Sequence, residues 1–177
     1  MIRLLFFLIF LGVGVARADP DGGVDQADGL EEYLKDRFYW SPRLANRAIG
    51  YLPIVKRWAD KTGLDPYLIA TVISYESSWN YKALGKLEEF GLMQAHGRAA
   101  RGFDLSTPEG QVGAGATWLA KGLKACKGSV LGALSFYQTK GQCKPIGSAR
   151  RRLKHYADAV NTYRKGARNG RPVDRAN

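Results

Sequence analysis

Glu76 is the residue whose type and setting best suit chemistry. It follows Val72 by four positions and Ile69 by seven, so a helix turning those side chains to the core carries this carboxyl to the core's edge. Apolar surroundings disfavour a carboxylate, and so does the negative end of a helix dipole; both are expected to favour the neutral acid. A carboxyl kept protonated near neutral pH can donate to a glycosidic oxygen. The competing reading is a helix-end glutamate that points to solvent or pairs with an arginine. Metal chemistry has less support, because His96 and His155 lie far in sequence from Cys126 and Cys143 and no cluster has ligand spacing. No metal and no cofactor are expected.

The elements that must position this carboxyl read as mainly α. Ser41-Pro42 is a cap and first-turn pair for a helix that Pro53 kinks or divides and Gly63 terminates. Asp65 caps the next helix, with Pro66 in its first turn and Leu68, Ile69, Val72 and Ile73 as an apolar stripe. After Asn80 the pattern loosens into a charged connection with Gly85 and Gly91, where a short hairpin or irregular strands are expected. Ser106-Thr107-Pro108-Glu109 has capping-box spacing, and Gly113 and Gly115 inside that helix imply close approach by a neighbour. Val130 to Tyr137 and Leu153 to Tyr163 are further helical segments, the last with Tyr156, Val160 and Tyr163 on one stripe. There are no repeats, no βαβ alternation and no glycine-rich phosphate loop.

Three motifs stand in one register with Glu76: Glu76-Ser77-Ser78-Trp79-Asn80, then Gly91-Leu92-Met93-Gln94, then Ala133-Leu134-Ser135-Phe136-Tyr137-Gln138. Their order and spacing resemble the soluble lytic transglycosylase family, over roughly Leu64 to Tyr163. Gln111-Val112, Gly115, Trp118 and Leu119 extend the resemblance. It implies a lysozyme-like helical domain with a small irregular or hairpin segment near the active site. Carried over residue by residue, it makes Glu76 the single acid and base and Ser77, its motif neighbour, a substrate-binding residue. It makes Met93 and Gln94 part of the groove lining, with Gln94 bonded to the sugar. Tyr137 becomes the hydroxyl near the carboxyl, Gln138 a groove residue where an asparagine is usual, and Tyr156 a groove tyrosine of the last helix. Read without the family, Met93 and Trp79 are equally simple core, and Tyr137 a buried aromatic.

The chemistry implied is cleavage between N-acetylmuramic acid and N-acetylglucosamine, with one carboxyl doing two jobs. Glu76 protonates the leaving oxygen, then takes the proton of the sugar's C6 hydroxyl as a 1,6-anhydro ring closes. Departures from the family pattern bear on this. Gly85 replaces a frequent serine, Gly141 sits one residue late, and Ala95-His96-Gly97 puts a titratable ring beside the groove. Glu88-Glu89 stands where Gly-Ala is usual, either as a solvated turn or as a second carboxylate that permits hydrolysis. Arg152 falls where the family often has a glutamate. A hydrolytic muramidase and a catalytically silent wall-binding assembly factor are the alternative functions.

Composition fits an exported globular protein. Residues 1–18 have the form of a signal peptide, with Arg3, an apolar run from Leu4 to Val15, and Ala16-Arg17-Ala18. A flexible leader is expected over 19–29, the catalytic domain over 30–165, and a basic flexible tail over 166–177. Two cysteines in an exported chain read as one disulfide, Cys126 to Cys143. The net charge of +11 becomes +9 once Arg3 and Arg17 leave with the signal. Export makes an anionic wall or membrane surface the nearer partner than nucleic acid. A basic binder of such surfaces, resting on the arginine-rich C-terminus, is a third reading. Peptidoglycan strands are the expected partner and a monomer the expected state, periplasmic or otherwise secreted. A secretion or conjugation apparatus is a further partner left open.

Overall fold

A computed structural model describes residues 27, 29–139 and 141–164. The segments expected to be a signal peptide and a basic tail, and most of the expected leader, lie outside the described residues. Helix α4, Pro66–Glu76, is the axis of the molecule: every residue from Pro66 to Ser74 is buried. Its start follows from its sequence, for the Asp65 carboxylate accepts from the Tyr67 amide at 2.9 Å and Pro66 occupies the first turn. A helix apolar on all sides must be enclosed, and the helices Leu52–Thr62 and Gly147–Ala159 pack along it.

Ahead of it come α1, Leu30–Arg37, α2, Pro42–Gly50, and α3, Leu52–Thr62. The division at Pro53 occurs as expected from its missing N–H, and Gly63 ends α3 in the left-handed region at φ 68°. After α4 the chain makes an irregular loop with two isolated antiparallel bridges, Leu84 to Phe90 and Phe90 to Ala95. The short α5, Gly97–Ala100, precedes α6, Pro108–Ala125, capped by the Thr107 hydroxyl on the Gly110 amide. Helix α7, Val130–Gln138, and helix α8, Gly147–Ala159, follow, and α8 runs on into a π-helical turn, Val160–Arg164. Helix α8 begins six residues before the expected Leu153. Its exposed arginines at 150 and 151 conceal its start from a reading by apolar periodicity.

Helix α8 lies along α4 in the opposite sense. Arg152 meets Glu76 at the C-terminal end of α4, and Tyr156 and Arg164 meet Asp65 at its N-terminal end. Cys126 and Cys143 are joined, seventeen residues apart in sequence, so α7 sits inside the closed loop. Among the described residues no helix is long and apolar enough to cross a membrane.

Candidate active site

Glu76 is the last residue of α4, where the buried stripe ends. The backbone then reverses through Ser78 and Trp79, both left-handed, at φ 49° and 63°. Two such residues in succession cost free energy, of order 1–3 kcal/mol each, and the surroundings compensate. Trp79 is fully buried, stacks on Tyr51 and donates its indole N–H to the Ser74 hydroxyl at 2.9 Å. Arg47 of α2 donates to the Ser78 carbonyl at 3.2 Å.

The reversal brings the chain back as the loop 91–94, beside Glu76, and three side chains fix it there. Ser77 donates to the Leu92 carbonyl at 2.8 Å. Gln111, buried inside α6, accepts from the Leu92 amide at 2.8 Å and donates to the carbonyls of Tyr81 and Leu105, each at 2.9 Å. Tyr137 of α7 donates its hydroxyl to the Met93 carbonyl at 2.5 Å. Two glycines make these approaches sterically available. Gly91, at φ 78°, would drive a Cβ into the Gln111 carboxamide, and a Cβ at Gly115 would strike the Met93 side chain.

Gln94 turns over at φ 48° and spends its amide donors on the carbonyls of Gly91, at 2.9 Å, and Ala83, at 3.1 Å. Gly85 separates its carboxamide oxygen from the Glu89 carboxylate. Glu89 accepts from the Leu87 amide at 2.8 Å, so this carboxylate is engaged by its own loop, while Glu88 is exposed. Burial, and secondarily the charge of Glu76, pushes the Tyr137 hydroxyl well above its ordinary pKa, against a smaller opposing effect of Arg152. Tyr137 is therefore a neutral donor throughout the physiological range. Gln94, His96, Arg98, Trp118 and Tyr137 border an open cleft of about 250 Å³. Glu76 is not among the residues that border it.

A family model, the transglycosylase SLT domain, matches residues 53–167. The chain belongs to the transglycosylase SLT family. It therefore carries a peptidoglycan-acting domain of the lysozyme-like superfamily. Glu76, the loop 91–94, Tyr137 and Arg152 all lie inside the SLT match, while α1 and α2 precede it.

Within the SLT domain, two expected groove residues have other duties. The Met93 side chain is fully buried against Gly115, and only its carbonyl takes part in the loop's hydrogen bonding. The Tyr156 hydroxyl donates to Asp65 at 2.7 Å, at the far end of α4 from Glu76. Eleven helical residues separate the two ends by about 16 Å. Gln138 is half-buried and donates back to the Leu134 carbonyl of its own helix at 2.9 Å. Arg152, at a position where the family often has a groove glutamate, donates its guanidinium to Glu76 at 2.5 Å. The signal for it was the exchange of an acidic for a basic residue in the last helix.

Proposed function

We propose that this protein is a lytic transglycosylase that cleaves the β-1,4 bond between N-acetylmuramic acid and N-acetylglucosamine and leaves a 1,6-anhydro end. The observation that carries the reading is the Glu76 carboxyl at the end of α4, beside the loop 91–94 that Ser77, Gln111 and Tyr137 hold. Glu76 is the acid: it gives a proton to the glycosidic oxygen while positive charge develops at the muramic anomeric carbon. Left as a carboxylate, it then takes the proton of the C6 hydroxyl as that oxygen closes on the anomeric carbon. The proton count balances and no water is consumed. In the same reading the carboxamide oxygens of Gln94 and Gln138 face the sugar, and the fixed loop sets its distance from the carboxyl.

Export fits the disulfide, since such bonds persist in oxidising compartments. Cleavage of residues 1–18 and action in the periplasm or outside the cell belong to the same proposal, as does an envelope-spanning apparatus as a further partner. The test is digestion of purified peptidoglycan by the wild type and by Glu76→Gln, with the fragments separated and weighed. Anhydro-ended fragments from the wild type alone are the expected outcome. Reducing-end fragments would make the protein a muramidase, and no fragments from folded protein would make it a silent binder.

A further inference from the structure

Arg152 touches the proposed acid, and acid–base chemistry alone gives it no task. The pair is shielded from water, with the Arg152 side chain 11% and the Glu76 side chain 18% exposed. The guanidinium lies over the Tyr75 ring, 5.2 Å from its centroid, and its Nε–H is buried with no acceptor. Arg152 thus holds Glu76 through one terminal nitrogen, whereas a guanidinium can grip a carboxylate by two parallel N–H bonds. A buried donor without an acceptor is costly, so the fork favours a ligand that completes it. Glu76 is held in turn, because one of its two carboxyl oxygens is taken up by Arg152. Both conditions are relieved if another carboxylate takes the guanidinium.

We propose that Arg152 is the receptor for the free lactyl carboxylate of a muramic acid residue, and that a glycan bearing it draws Arg152 off Glu76 and releases the acid. The inference rests on the lytic reading above and specifies its substrate. On a strand that carries stem peptides the lactyl carboxyl is an amide and offers a guanidinium no charge. On a peptide-free strand every muramic residue presents one carboxylate on its own ring substituent. The exchange breaks one ion pair and forms another, and Arg152 remains charged throughout. Arg152 is accordingly a specificity-determining residue, and the preferred substrate is glycan already stripped of its peptides by an amidase-type reaction. Carboxylates on the stem peptides are the competing source of the same chemistry.

Two measurements on the full chain test this, for the wild type, Arg152→Gln and Arg152→Lys, with near-ultraviolet circular dichroism to verify folding. The first compares kcat/KM on amidase-stripped and on peptide-bearing sacculi. The wild type is expected to favour stripped strands by about tenfold or more, the worth of one charge-assisted hydrogen bond. Arg152→Gln brings the ratio to about one, and Arg152→Lys restores part of it. Equal wild-type rates, or a preference that survives in Arg152→Gln, would overturn the proposal. So would an Arg152-dependent preference for peptide-bearing strands, which would assign the arginine to a peptide carboxylate. The second titrates each protein with the N-acetylglucosamine–muramic acid disaccharide and with its lactyl amide, followed by NMR. If no protein cleaves either substrate, the lytic reading fails. The titration then decides the receptor separately: Arg152-dependent binding of the acid over the amide supports it, and equal binding overturns it.

Discussion

At the scale of single residues, the hydroxyls of Tyr137 and Tyr156 are separated by what they hold. Tyr137 fixes the loop carbonyl beside Glu76, so Tyr137→Phe is expected to lower kcat on peptidoglycan at least about tenfold, with an unpaired buried carbonyl costing ~1–3 kcal/mol of stability. Tyr156 steadies Asp65, the cap of α4, and Tyr156→Phe is expected to cost ~1 kcal/mol in a urea titration with kcat/KM unchanged. The resemblance made both of them groove residues, and only the geometry distinguishes them. Glu76 was legible because its apolar stripe and helix end are local properties of the sequence. A pairing with an arginine was the competing reading and is what the structure shows, but its identity as Arg152 was not legible, because the two residues are 76 positions apart and meet only through the rotation of α8 against α4. Each residue added to a helix turns it by about 100°, so a one-residue error in register removes such a pairing.

At the scale of elements, the loop 91–94 and α7 carry the site, and each depends on a distinct attachment. Gly91→Ala is expected to destabilise by about 2 kcal/mol or more, because it meets both an unfavourable backbone region and the Gln111 carboxamide. A lowered urea midpoint, with Gln111→Ala lowering it by a similar amount, is the check. Reduction of Cys126–Cys143 frees a loop enclosing α7 and is expected to remove roughly 3 kcal/mol. Calorimetry with and without reductant measures this as a fall in Tm of about 6–12 °C. Caps and prolines made most helix starts readable, as at Ser41-Pro42, Asp65-Pro66 and Thr107-Pro108. The loop was foreseen as irregular but not its anchoring, because Gln111 stood only as a motif residue of the resemblance and its partner, the Leu92 amide, lies 19 positions away.

At the scale of the whole molecule, buried titratable groups set the pH range over which the fold is stable. Burial, and then the charge of Arg37, holds the His155 imidazole below its ordinary pKa, and both its ring nitrogens lie out of contact with water. The folded state therefore binds fewer protons there than the unfolded chain. Its stabilising contribution is complete above about pH 6.5 and is lost as pH falls through the folded value. His155→Phe is expected to flatten that part of a plot of urea midpoint against pH. Tyr156 and Tyr163 shift the other way, chiefly through burial and secondarily through Asp65 and Asp36 respectively, so their contribution is lost above about pH 10. Between these limits one carboxyl is proposed to close an anhydro ring without consuming water. Digestion of peptidoglycan in water labelled with heavy oxygen tests it most directly. New muramic ends are expected to be lighter than reducing ends by one water and to carry no label, and none are expected with Glu76→Gln. Labelled reducing ends from the wild type would contradict it.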